Sequence, residues 1–204
     1  DESGVVAEQE MQTTTEITEL ARFDGSVFAK FSRENWQTRL RDFSVPASER
    51  DIAPSIFYDT FAQFRPESDD ISLLSRRTGQ AQLWLSENGI MHRLTSANEP
   101  VTSYIWQNSE SLVLVREGKL FELTLGQDFK AKETVIELEL IAHTLFQLLD
   151  NKLLLKAEMD GQLHLGWLDL ASGQFDSLYQ GDVHWAQGAT TDTLWLNTGS
   201  QIMQ

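Results

Sequence analysis

Three polar turns recur in this chain at nearly equal intervals, and their spacing restricts the fold more than any other feature. The apolar residue before each turn is Phe64, Trp106 and Leu149, so the intervals are 42 and 43 residues. The same order of short apolar runs follows each turn. In the first copy these are residues 71–74, 81–85 and 90–95, punctuated by residues 75–79 and by Asn88 and Gly89. Asn-Gly between two such runs marks a tight hairpin, because both positions accept the left-handed backbone that a two-residue turn needs. The second copy has runs at 101–106, 111–115, 119–125 and 133–140, with Glu117 and Gly118 as one turn. The third has runs at 144–149, 153–157, 163–170 and 174–179, with turns at Asp150 and Asn151, Asp160 and Gly161, and Ser172 and Gly173. A fourth starts at Val183 and passes through 193–197. An earlier, irregular copy has Phe31 before its turn, 33 residues ahead of Phe64. A period near forty with about four strands per unit is that of a β-propeller blade. The expectation is an all-β chain, a propeller or propeller fragment of about four to five four-stranded antiparallel blades.

Leu138 to Leu155 is the one stretch whose apolar content also suits a helix. Asp150 and Asn151 fall inside it where the repeat demands a turn, so it reads as strands. Residues 36–43 alternate poorly and make a weak core strand, and 44–54, with Pro46 and Pro54, read as a long loop. The acidic stretch 1–16 suits a solvated lead-in, which leaves 17–204 as the propeller domain. Residues 14–20 are expected to supply the outer strand of the last blade and so close an exposed edge.

Composition removes several classes of function. With 16 Lys plus Arg against 31 Asp plus Glu the net charge is -15, and such a surface repels polyanions, so direct nucleic-acid contact is not expected. No 18-residue apolar run is present, so any membrane attachment belongs to a segment outside these residues. The first residue is Asp1 rather than Met, as expected of a processed or excised piece. There are no cysteines, which excludes disulfides, thiolate metal sites and a cysteine nucleophile.

Catalytic patterns are missing as well. No G-x-S-x-G elbow occurs, and His92, His143, His164 and His184 form neither an H-x-H nor an H-E-x-x-H pattern. No catalytic residue, cofactor or metal is therefore expected, and the chain does not read as an enzyme. The six tryptophans suit the wedge-shaped gaps between twisted sheets. Where they instead serve recognition, Trp84, Trp106 and Trp185 are the candidates for contacting a protein or small-molecule partner, together with the turn residues Arg76 and Arg77.

Phe64-Arg65-Pro66-Glu67, residues 71–75, Arg77-Thr78-Gly79, Gln82-Leu83-Trp84 and Arg93-Leu94-Thr95 resemble the TolB-type propeller repeat, whose pattern is roughly F-S-P-D-G, an apolar strand, S-x-R-x-G, x-x-I/L-W/Y and a closing L-T. Arg65 stands where that pattern has Ser, and the other copies keep the spacing without the signature. Such repeats are found in TolB, in propellers of prolyl-oligopeptidase-like peptidases, and in sensor regions of membrane-tethered winged-helix regulators. The acidic, Trp-rich blades look most similar to the last group, the CadC-like regulators. That resemblance implies a non-catalytic sensor on the periplasmic or extracytoplasmic side of a bacterial inner membrane, with the DNA-binding part elsewhere. The alternatives it implies are a peptidase accessory propeller and a TolB-like periplasmic scaffold.

Overall fold

In a computed structural model of the chain, the described residues are the backbones of 16–23, 26–32 and 38–42, and residues 57–203 apart from 97, 189, 191, 192 and 200. The expected lead-in and the loop at 44–54 lie outside them, apart from Glu16. Two compact units are present, Asp1–Tyr58 and Asp59–Gln204. The first holds a three-stranded antiparallel sheet of β1 (Glu16–Phe23), β2 (Ser26–Ser32) and β3 (Thr38–Asp42) in that spatial order. Residues 16–20, expected to complete the last blade, pair with β2 at the edge of this sheet.

The second unit is a series of antiparallel meanders in which spatial order follows chain order. Blade I comprises β4 (Asp59–Phe64), β5 (Ile71–Thr78), β6 (Gln80–Glu87) and β7 (Ile90–Arg93). Blade II comprises β8 (Val101–Trp106), β9 (Ser111–Arg116), β10 (Lys119–Leu125) and β11 (Ala131–Ile136). Blade III comprises β12 (Ile141–Leu149), β13 (Lys152–Met159), β14 (Gln162–Asp169) and β15 (Phe175–Gln180). Blade IV has three described strands, β16 (Trp185–Gly188), β17 (Leu194–Asn197) and β18 (Ile202–Met203). The expected four-stranded propeller blades are present, and the stretch from Leu138 to Leu155 contains strands rather than a helix.

Strand boundaries depart most from the sequence reading at two places. β5 continues through Arg76 and Arg77 to Thr78, because the Gly79 N–H bonds the Arg76 carbonyl and tightens the hairpin to its last residue. β11 ends at Ile136, and Leu138 and Leu140 leave the sheet to pack against the apolar cluster between blades II and III.

The apolar runs explain how the blades stack. A strand buried on one face alternates, whereas one buried on both faces reads as continuously apolar. In β9, Leu112 and Leu114 pack toward blade I while Val113 and Val115 pack toward blade III. In β13, Leu153 and Leu155 face blade II, and Leu154 joins Leu165, Trp167, Val183, Ala186 and Leu196 between blades III and IV. Each side chain removes its apolar surface from water at roughly 25 cal/mol per Å². Three clusters result, one for each pair of consecutive blades.

Candidate functional site

The first strands of consecutive blades run side by side at the same level of the repeat. Gln63 Nε2 donates to the Tyr104 carbonyl at 2.9 Å, the Leu145 N–H donates to Ser103 Oγ at 3.0 Å, and the Gly188 N–H donates to Gln147 Oε1 at 2.7 Å. Partners in these bonds are 41 or 42 residues apart. The second-to-third-strand turns share the end at which the first strands begin, since Asp59 pairs with Ser75, Val101 with Arg116 and Ile141 with Glu158.

At that end every complete first strand carries a bulge at one repeat position. Residues 61 and 62 interrupt the register of β4, Thr102 that of β8 and His143 that of β12. Phe61, Thr102 and His143 follow one another at steps of 41, and the next step reaches His184, immediately before β16. A bulge inserts an unpaired residue and re-aims its side chain, which is why bulges gather at functional rims. Phe61, Thr102 and His184 are exposed and His143 is half-exposed.

Phe61 has a φ of 52°, which costs a non-glycine residue about 1–3 kcal/mol. Its carbonyl accepts the Tyr104 hydroxyl proton at 2.6 Å. Ser72 Oγ lies 2.8 Å from the same hydroxyl and accepts from Trp106 Nε1 at 2.8 Å. Buried and multiply bonded, this group offsets the strain of the bulge.

The two histidines each face a carboxylate. His143 Nε2 is 3.4 Å from Glu158 and His184 Nε2 is 4.0 Å from Asp182. Lys156 Nζ donates to Asp182 at 2.8 Å, and this hydrogen bond is the main reason the Asp182 carboxyl lies below its ordinary value. The end therefore combines an aromatic ring, a hydroxyl and two imidazoles with the carboxylates of Glu158 and Asp182.

The five residues singled out by sequence do not converge. Arg77 Nε donates to Ser75 Oγ at 2.9 Å, its guanidinium lies 3.3 Å from Asp59, and it sits 4.8 Å from the centre of the Trp84 ring. Arg77 and Trp84 thus meet within blade I, and Arg76 is exposed beside them. Trp106 is only 7% exposed and fills the gap between blades I and II, so it packs the interior instead of displaying a contact surface. Trp185 is 47% exposed on blade IV. Phe61 and Thr102 escaped the sequence reading. Their sole signal was a 41-residue step between chemically unlike side chains.

Reaction chemistry finds little support among the described residues. The half-buried His164 has its Nδ1 2.8 Å from the exposed Ser177 Oγ, but among the described residues no carboxylate orients this imidazole as a hydrolytic triad requires. Among the described residues no cluster of three or more His, Asp or Glu is arranged to hold a metal. The cleft formed by Lys119, Leu120, Ile136, Leu138 and Leu140 encloses about 50 Å³, room for ordered water. No described helix is long and apolar enough to cross a membrane.

No family model matches the chain, and no curated protein matches it. Solved structures similar to it include the β-propeller domain of Cps50 (Swd1) from Myceliophteria thermophila, with a TM-score of 0.54 and 15% identity over 85% of this chain and 64% of that one. A puromycin-hydrolyzing peptidase from Mycobacterium tuberculosis is similar at a TM-score of 0.58 and 13% identity, over 81% of this chain and 29% of that one. TolB from Acinetobacter baumannii is similar at 0.53 and 14%, over 81% and 44%. The chain has the fold of a β-propeller and spans less than two thirds of each of these proteins.

Proposed function

We propose that the chain is a non-catalytic sensor or protein-interaction propeller of a bacterial, CadC-like transcriptional regulator, acting on the periplasmic or extracytoplasmic side of the inner membrane. In this reading the bulged end, with Phe61, Thr102, His143 and His184, receives a small molecule or a protein partner. Binding there shifts the association state of the domain, and a membrane-anchored segment outside these residues relays the shift to a DNA-binding part. The observation that carries the reading is the recurrence of one exposed bulge position along consecutive first strands. The likeness to TolB supports a binding propeller, and the acidic surface fits a domain that leaves DNA contact to another part of the protein.

Calorimetric titration of the chain against a library of peptides and periplasmic metabolites tests this. The expected result is a ligand whose affinity falls at least tenfold in a Phe61→Ala, His143→Ala double variant with an unchanged circular dichroism spectrum. Turnover of peptide substrates by the chain itself would sink the proposal. The second reading, an accessory propeller of a peptidase, draws on the likeness to the Mycobacterium enzyme, and it expects a hydrolase domain encoded in the same reading frame.

A further inference from the structure

The bulge of blade I is built differently from those of blades II and III. Of the bulge residues Phe61, Thr102 and His143, Phe61 alone has a positive φ, and a bulky side chain in that region persists only where its surroundings hold it. The holder comes from the next blade. Tyr104, 1% exposed, donates its hydroxyl proton to the Phe61 carbonyl at 2.6 Å, and the fully buried Ser72 Oγ lies 2.8 Å from the same hydroxyl. Ser72 Oγ is also 3.1 Å from the Gln63 carbonyl and accepts from Trp106 Nε1. Steps of 41 residues from Tyr104 and Ser72 reach Leu145 and Val113, both buried and apolar, so this polar group is not copied at those positions.

The contacts from Tyr104 to Phe61, from Ser72 to Tyr104 and from Ser72 to Gln63 number three. A tyrosine and a serine carry one hydroxyl hydrogen each. One of the three contacts is therefore always without a proton. In a held arrangement Tyr104 donates to Phe61, and Ser72 to Gln63 or Tyr104. In a released arrangement Tyr104 turns its proton to Ser72 Oγ while Ser72 donates to Gln63, so each hydroxyl keeps an acceptor and the Phe61 carbonyl is let go. The bond lost is set against the relief of the left-handed backbone, two quantities of the same order.

We propose that the bulge at Phe61 is a two-state latch, with the Tyr104 hydroxyl as its catch. Held, Phe61 keeps its left-handed backbone. Released, residues 61 and 62 relax and re-aim the exposed ring. Coupling between a surface site and the interior needs an element with two discrete arrangements, and this buried group supplies one. Trp106 Nε1, bonded to the same Ser72 oxygen, carries the state of the bulge into the wedge between blades I and II. The link to a ligand rests on the proposed function: a partner that grips the Phe61 ring selects the arrangement in which that ring is free.

Relaxation-dispersion NMR and amide hydrogen exchange on the intact chain test the latch without a ligand. Exchange between two states is expected at the amides of Phe61, Ala62 and Gln63 and at the Trp106 indole N–H. Two conservative variants should then act in opposite directions. Tyr104→Phe keeps the ring and removes the catch, so hydrogen exchange at residues 61–63 should quicken by about fivefold. Ser72→Ala removes the acceptor that the released arrangement uses, so exchange there should slow by about as much. The Ala62 resonance should shift toward one state of the parent in the first variant and toward the other in the second. A group that only packs the wedge would loosen in both variants, and that result overturns the latch, as does a parent chain without two-state exchange. The peptide and metabolite titration of the proposed function separates the two claims. A ligand bound more tightly by Tyr104→Phe and more weakly by Ser72→Ala supports the coupling. One bound equally by both overturns it and leaves the sensor reading standing. Opposed exchange effects with no ligand in the library support the latch and count against the sensor reading alone.

Discussion

The interface between blades I and II and the one between blades III and IV fill the same wedge in different ways. Both use a tryptophan, Trp106 in the first and Trp167 in the second. Trp106 Nε1 donates to Ser72, which joins it to Tyr104 and, through the Tyr104 hydroxyl, to the strained carbonyl of Phe61. Trp167 Nε1 is buried with no hydrogen-bond partner, and its ring lies so close to Gly188 that a Cβ there would sit 2.9 Å from it. One interface ties its aromatic ring into a polar network, whereas the other relies on shape and on a residue with no side chain. Between blades III and IV the polar bonds run beside the ring, from the Gly188 N–H to Gln147 and from Lys156 to Asp182, whereas between blades I and II they run through the ring to the exposed bulge at Phe61.

The largest test of this contrast removes the ring from the networked interface. Trp106→Ala should destabilise the chain by about 3–5 kcal/mol, by leaving a cavity and taking a donor from Ser72, as measured by urea unfolding. A cost under about 1 kcal/mol would show that the network is incidental. A finer comparison sets Trp106→Phe against Trp167→Phe. Both lose similar volume, but only the first breaks a hydrogen bond, so it should cost about 1 kcal/mol more. Equal costs would erase the distinction between the interfaces.

The smallest effect concerns Lys156, which reaches from β13 to Asp182 on the approach to blade IV. Hydrogen bonding from Lys156 holds the folded Asp182 below the ordinary value of 3.8. A depressed carboxyl contributes stability above its unfolded pKa and loses it as pH falls through the folded one. Lys156→Met should therefore cost under about 1 kcal/mol at neutral pH, given the exposure of the pair. The difference from the parent chain should begin to shrink as pH falls to 3.8 and disappear once pH is below the lowered folded value. A difference that persists there would mean that the lysine stem contributes through packing.

The spacing of Phe64, Trp106 and Leu149 was enough to place three blades, since an apolar residue followed by a polar turn is a local pattern that a repeat copies. Asn88-Gly89, Glu117-Gly118 and Asp160-Gly161 were equally legible, because the positive φ of a tight hairpin is dictated by the residues that occupy it. The bulged end was harder to find. Phe61, Thr102, His143 and His184 have no chemistry in common, and a bulge depends on how a strand pairs with its neighbour. Arg77 and Trp84 are separate candidates on sequence alone, and only the structure sets the guanidinium of one over the ring of the other in blade I. Trp106 and Trp185 looked alike in sequence, and burial separates them.

The sequence by itself determined the strand order, the hairpin turns, the period near forty and the acidic surface. Each depends on a residue and its near neighbours in the chain, or on a sum over all residues. Tertiary structure alone decided which face of each strand is covered, because that depends on the sheet lying 41 residues away.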